Sequence, residues 1–432
     1  MRYGYLVALL VAIVFFAFVR LRLRNMPLER DEGEFAYVGQ LMLQGIPPYK
    51  IAGNMKLPGT YAAYAAIMAV FGETASGIRI GLMLVNVAAT VLIFLLGKYL
   101  YGPLAGAVAG ITYSFLSCRP GVLGVYAHAT HFVVLAALAG ILLLLYAIDA
   151  GRTGLFFGSG LCFGLAFLMK QPGILFAVFA GLYWLWQEWK RPFPWRNVAI
   201  RGGVLFAAVA LPFGLTCLIF LHAGVFRSFW FWTWSYAREY GSMTSLPEAW
   251  PMLRASLPWA VRPFVIWEIV AVGLTAPMWS RYARTHGGLV ASFFLFSLLA
   301  VCPGLYFRPH YFILVLPAAA LCTGIGVCAV RQTVLEKRFG RLAGWLPVLY
   351  FAVVFGISVR GQYKTYFHLD PASLNRKIFG HDPFSEAVAA GSYIKTHSSE
   401  QDTIGLFGSE PEICFYSARH CATSYLYTYP LM

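Results

Sequence analysis

RDEGEFAYVGQLMLQG, residues 30–45, stands directly behind the first long apolar run of the chain, YGYLVALLVAIVFFAFV at 3–19. Three of the chain's 18 acids, Asp31, Glu32 and Glu34, fall within four residues there. The stretch reads as an amphipathic helix, and carboxylates in a helix's first turn are favoured by its dipole. Asp31 is therefore expected as the N-cap, with Glu34 three residues on in a capping-box spacing. Capping does not explain Lys56 in NMKLPGTY or Lys170 in FLMKQPG, and it is compatible with chemistry at the same carboxylates.

Working outward, 59% hydrophobic residues, 12% charged residues and a mean hydropathy of +0.67 are far from a soluble domain and define a polytopic membrane protein. The net charge of +15 reads as topology signal and anionic-lipid contact, and a nucleic-acid partner is set aside. The first run is followed by RLRLRNMPLERDE and lacks a small-residue cleavage site, so it is expected as a retained span. The eight cysteines show no CxxC or Cys/His spacing for a metal. Cys414 and Cys421 are candidates for a disulfide if the tail lies outside the cell.

Apolar runs long enough for ~30 Å of hydrocarbon recur at about 3–19, 78–97, 103–117, 130–148, 154–168, 172–187, 203–221, 260–279, 288–303, 310–330 and 342–360, roughly eleven spans. Gly160 and Gly164 in FFGSGLCFGLAF have the small-xxx-small spacing that lets helices approach closely. Alternate connections differ in charge: Lys98, Arg152, EWKRPFPWRNVAIR, RYARTH and RQTVLEKRFGR on one side, against only Arg119, Lys170 and Arg308 in the short loops of the other. Positive-inside counting puts the N-terminus in the cytoplasm and Asp31 and the tail from Arg360 outside. Arg20, Arg22, Arg24 and Arg30 breach that pattern and are expected to meet something anionic, such as a lipid headgroup.

Two external connections are too long for turns. The first, about 25–77, reads as two amphipathic helices lying in the interface; the second, about 222–259, is rich in Trp and Tyr, as an aromatic belt or a lipid-tail groove would be. Residues 1–360 form the transmembrane domain. Residues 361–432 read as a small α/β segment, with a helix in DPFSEAVAAGSYIKTH and a strand in TIGLFG, and whether the natural tail extends further is left open.

The ionisable residues of the external connections include Asp31, Glu32, Glu34, Lys56, His128, His131, Lys170, Arg308 and His310. A lysine at a membrane-helix centre costs ~2.5–3.5 kcal/mol, less near an end where it snorkels. Lys170 reads as such a snorkelling lysine or as an anion ligand. Arg308 and His310, in FRPHYFILVLP, read as interfacial anchors or as phosphate ligands, a planar guanidinium being suited to several phosphate oxygens at once. Tyr311 beside them, with His128 and His131, is a candidate donor or acceptor contact, and structural histidines at a helix start are the plainer reading of the latter two.

DEGEFAYVGQLMLQGIPPY with MKLPGTY some 25 residues on resembles the first external loop of GT-C glycosyltransferases. The resemblance is to the dolichyl-phosphate-mannose-protein mannosyltransferase-like group, which includes the bacterial aminoarabinose transferases of lipid A. LAFLMKQPG, RPHYFILVLP and GSEPEICFYSARHCATSYLYTYPL are similar to further segments of its bacterial members. The resemblance implies an all-α GT-C fold and an inverting transferase. Such an enzyme takes a sugar from a polyprenyl-phosphate donor to a lipid, glycan or protein acceptor at the extracytoplasmic face of the bacterial inner membrane. Asp31 matches the family's catalytic acid residue, Glu32 its motif partner, Lys56 the loop lysine and Lys170 the lysine facing the donor phosphate. Arg308, His310 and Arg30 are expected on the donor phosphate or lipid. One departure is the second external loop, CRPGVLGVYAHATHF, which offers His128 and His131 where relatives often carry an acid. A divalent metal like that of oligosaccharyltransferases is therefore not expected with certainty. The alternatives are a transporter or flippase, which would keep its ionisable residues near the midplane, and a scaffold that has lost activity.

Overall fold

The computed structural model describes residues 4–190, 195–337 and 339–428. Part of the basic stretch EWKRPFPWRNVAIR and the last four residues of the tail lie outside them. Among the described residues, twenty α-helices follow one another in the order α1 (Gly4–Arg22), α2 (Arg30–Leu43), α3 (Pro58–Phe71), α4 (Ala75–Tyr101), α5 (Pro103–Leu116), α6 (Ala129–Ala150), α7 (Thr153–Met169), α8 (Ile174–Trp189), α9 (Trp195–His222), α10 (Phe226–Trp230), α11 (Ala237–Gly241), α12 (Leu246–Val261), α13 (Phe264–Trp279), α14 (Arg281–Arg284), α15 (Gly287–Leu299), α16 (Leu316–Glu336), α17 (Leu346–Arg360), α18 (Pro371–Phe379), α19 (Phe384–His397) and α20 (Glu412–Ser417). Two two-residue strands, β1 (Thr403–Ile404) and β2 (His420–Cys421), pair in parallel.

Each of the eleven expected spans coincides with a helix, but length divides them. Six are long and apolar enough to cross a membrane, α1, α4, α6, α9, α16 and the stretch Ala343–Arg360, and α12 with α13 form a seventh bent by 95°. α5, α7, α8 and α15 are shorter, and the 13 residues of α15 reach only about 20 Å at 1.5 Å per residue. The count of eleven is thus not confirmed by helix length.

Close approach follows from small residues, as the sequence led one to expect. On α7, a Cβ at Gly160 would lie 2.6 Å from Ala208 Cβ, and one at Gly164 2.9 Å from the Pro212 ring, so the two glycines seat α7 against α9.

Three expectations are corrected. The capping residue of α2 is Glu29: its side chain accepts from the Glu32 amide at 2.9 Å while Glu32 accepts from the Glu29 amide, which moves the capping box two residues upstream. Asp31 and Glu34 are thereby released from capping. Second, α2 does not lie with one face open at an interface, since every residue from Glu32 to Leu41 is buried. It packs among α3, the start of α6, the end of α9 and the tail, in an aromatic cluster holding Phe35, Tyr61, Tyr64, Phe132, Phe220 and Tyr427. Third, the arginines do not form one headgroup cluster: Arg24 is exposed and donates to Leu21 O at 3.0 Å, while the others turn to groups of the protein. Arg20 is buried and donates to Ser117 O at 2.6 Å and Gly124 O at 2.9 Å; Arg22 donates to Phe367 O and Leu369 O, both at 2.9 Å. Arg30 donates to Ser409 O at 2.8 Å and pairs with Glu410 and Asp382. A buried guanidinium needs several acceptors, and backbone carbonyls of neighbouring loops supply them.

Candidate active site

Freed from the cap, Asp31 sits at the second position of α2, with its side chain about one-fifth exposed. Lys56, just before α3, places its ammonium 2.6 Å from Asp31 Oδ1 and 2.9 Å from Glu34 Oε2. Asp31 and Glu34 are three apart on one helix and share a face, so one cation reaches both. Glu34 is fully buried and accepts also from Asn54 Nδ2 at 2.6 Å, from Tyr427 Oη at 2.6 Å and from the Tyr61 hydroxyl. Lys56 is further held 4.6 Å over the Phe35 ring.

The other carboxylate oxygen of Asp31 faces two imidazoles. His310 Nε2 lies 3.8 Å and His128 Nδ1 3.9 Å from Asp31 Oδ2, and the rings stack at 4.0 Å with planes 10° apart. Burial drives both histidines down, His128 to about 3, so the stack is neutral at pH 7. Burial pulls the Asp31 carboxyl up, but the neighbouring cations, Lys56 first, outweigh it and hold it well below the usual range. Asp31 is a carboxylate.

Asp31, His128 and His310 bring one donor atom each within 4.8 Å of one another. Ring-nitrogen lone pairs lie in the ring plane, so two stacked imidazoles cannot aim at one ion about 2.0–2.1 Å from each nitrogen. Lys56 also occupies Oδ1. These residues, as placed, do not fit a cation held by both rings, and the chemistry below uses none.

Across the cavity, Lys170 closes α7 and lies 4.0 Å over the Tyr311 ring; burial lowers its ammonium to about 7. Arg308 is exposed at the mouth, donating to Tyr240 Oη at 3.3 Å. Arg30, Asp31, Lys56, His128, Lys170, Arg308, His310 and Tyr311 all line one cavity of about 270 Å³. Their sequence separations reach far along the chain, yet the connections that carry them converge.

Two candidates do not reach it. Glu32 is fully buried behind α2, paired with Arg79 and accepting from the Ala127 amide. His131, one turn into α6, is fully buried and absent from the cavity wall. Sequence reasoning missed Glu34, which it assigned to capping, and Tyr427, Tyr240 and Tyr306 of the wall. The Asp31 to Glu34 spacing was the available signal for the first. Nothing local marks the tyrosines.

The family model described as dolichyl-phosphate-mannose-protein mannosyltransferase matches residues 56–215. The undecaprenyl phosphate-alpha-4-amino-4-deoxy-L-arabinose arabinosyl transferase of Pseudomonas paraeruginosa is 29% identical over 252 residues, 53% of this chain and 44% of that protein. Its counterpart in Pseudomonas aeruginosa is 28% identical over 53% and 44%. The chain thus spans less than half the length of these relatives. Among solved structures, ArnT from Cupriavidus metallidurans bound to undecaprenyl phosphate superposes with a TM-score of 0.65 at 17% identity, over 98% of this chain and 86% of that one. The oligosaccharyltransferase AglB from Archaeoglobus fulgidus, in complex with an inhibitory peptide and a dolichol-phosphate, gives 0.58 at 12%, over 97% and 64%. The class is set by these likenesses: a multi-pass membrane protein with the fold of the GT-C glycosyltransferases. Within that fold the chain is similar to ArnT in structure and to the two Pseudomonas arabinosyl transferases in sequence.

Proposed function

We propose that the chain is an inverting glycosyltransferase that moves a sugar from a polyprenyl-phosphate donor to an acceptor at the extracytoplasmic face of a bacterial inner membrane, with the N-terminus cytoplasmic and the tail outside. The observation that carries this reading is one cavity in which a carboxylate, Asp31, faces the cations Lys170 and Arg308. Asp31 Oδ2 takes the proton of the acceptor hydroxyl, whose oxygen attacks the anomeric carbon opposite the phosphate. The bond from that carbon to the phosphate oxygen breaks, and the electron pair leaves with the lipid phosphate, inverting the centre. Lys170 and Arg308 compensate the charge that grows on the leaving phosphate, and a placed carboxylate base contributes about 10²–10⁴-fold. Lys56, held on Asp31 and Glu34, keeps the base ionised at neutral pH. Glu32 and His131 act from behind the wall as supports, and Arg30, Tyr311, His128 and His310 shape the donor and acceptor space.

A transporter or flippase is not favoured: the charged groups gather in one cavity walled by connections and helix ends, whereas a carrier keeps them at the midplane between discontinuous helices. The test is release of undecaprenyl phosphate from radiolabelled undecaprenyl-phosphate sugars by the purified protein with a membrane-lipid acceptor extract. Release by the wild type that is lost in Asp31→Asn supports the reading; no release with any donor in the panel overturns it.

A further inference from the structure

The tail reads in sequence as an appendage, but it is laced along the first external loop from Leu28 to Lys56. Tyr416 Oη accepts from the Leu28 amide at 2.9 Å, Ser409 O from Arg30 at 2.8 Å, and Tyr37 Oη from the Cys421 amide at 2.8 Å. The Gly53 amide donates to Ser424 O at 2.9 Å, and Gly53 pairs with Tyr425 in a parallel bridge. Gly33 is pressed so closely on α20 that a Cβ there would stand 2.6 Å from the Glu412 amide nitrogen. Between these contacts Cys414 and Cys421 are joined by a disulfide, and both are buried. The strap ends with Tyr427 in the cavity wall, its hydroxyl on Glu34 and its ring 5.8 Å from the Lys56 ammonium.

We propose that the segment Ser409–Tyr427 is a working part of the active site: Tyr427 is a positioning residue that holds, through Glu34, the Lys56 ammonium on Asp31, and the Cys414–Cys421 disulfide keeps it there. The inference rests on the glycosyltransferase reading above. Its logic is a chain of contacts. Glu34 is buried and needs every donor it has, namely Lys56, Asn54, Tyr61 and Tyr427. Three of these come from the first external loop and α3; the fourth arrives from nearly 400 residues away in sequence. Removing that hydroxyl slackens Glu34 and with it the ammonium that lies 2.6 Å from Asp31. Asp31, mostly screened from solvent, then loses the cation that most opposes the upward pull of burial, and its proton affinity rises. The disulfide closes the seven-residue step from α20 to β2 and so fixes the register of the strap that ends in Tyr427.

The experiment compares wild type with Tyr427→Phe, which keeps the ring and loses only the hydroxyl, by release of undecaprenyl phosphate from undecaprenyl-phosphate-linked glucose, mannose and 4-amino-4-deoxyarabinose. In Tyr427→Phe, kcat falls about tenfold with little change in donor KM, and the acid limb of the pH profile moves to higher pH. Treatment of wild type with dithiothreitol lowers kcat in the same direction and adds little to Tyr427→Phe. Thermal melting and undecaprenyl phosphate binding are followed alongside, so that loss of fold is recognised. An active wild type whose rate and pH profile are shared by Tyr427→Phe overturns the inference alone. A wild type inactive with all donors overturns the glycosyltransferase reading and this inference with it.

Discussion

The start of α2, from its cap Glu29 to Glu34, carries two pairs of acids three residues apart, and the pairs face opposite ways. Glu29 and Glu32 face inward: they cap the helix, pair with Arg79 and receive the Ala127 amide, and burial pushes the Glu29 carboxyl up to about 8. Asp31 and Glu34 face Lys56, and Asp31 opens into the cavity. Glu32 and Asp31 are adjacent in sequence, but the 100° turn between them puts one carboxylate in the core and the other in the site. The lesson is that an acid's neighbours across the fold, more than its neighbours along the chain, decide whether it is locked in the core or opens into the cavity.

That contrast is broken most sharply by neutralising each member in turn. Asp31→Asn is expected to lower kcat by about 10²–10⁴-fold with melting temperature and undecaprenyl phosphate binding retained, as a lost general base should. Glu32→Ala leaves Arg79 buried without its partner and is expected to cost about 3–5 kcal/mol of stability. Thermal melts in detergent would show it as a large fall in midpoint, while turnover per folded molecule stays near wild type. Catalytic loss without instability in Glu32→Ala would erase the division between the pairs.

A smaller effect sharpens the site side. Lys170 titrates near 7 in the free protein, so its charge is present below that pH and lost above it, and kcat/KM should fall as pH rises through about 7. Lys170→Arg keeps its charge and should carry the alkaline limb to higher pH; a limb that stays in place assigns it to another group. The smallest effect concerns the histidine pair. Because the stacked rings cannot converge on one ion, EDTA is expected to leave turnover unchanged, measured in chelated buffer with and without added zinc. A rate restored by zinc would show that His310 turns to bind it.

Much of this was legible beforehand. Hydropathy located a helix at every expected span, because burial of long apolar runs is a local property of composition. The Gly160 and Gly164 spacing foretold the α7 and α9 contact, and the tail cysteines that were held open as a pair are bonded. Asp31, Lys56, Lys170, Arg308 and His310 were gathered from charge and sidedness, and they do line one cavity. The errors arose where a local rule had two solutions. A capping box needs only an acceptor and an acid three residues later, and both Glu29 with Glu32 and Asp31 with Glu34 offer that spacing; the fold chose the first. Arg20 and Arg22 read as lipid ligands because carbonyl acceptors from residues 117–124 and 367–369 leave no trace in their own neighbourhood.

The sequence by itself determined that this is a membrane protein of many helices, that its ionisable residues gather on a few connections, and that Asp31 stands among cations. These follow from composition and spacing, which act over one helical turn or one span. Only the tertiary structure decided which carboxylate is a strut and which faces the cavity, that Glu34 ties Lys56 to the site, and that the tail reaches back to it through Tyr427. Such contacts join residues from 22 to 393 positions apart, and their energies depend on what burial leaves for each polar group to bond with.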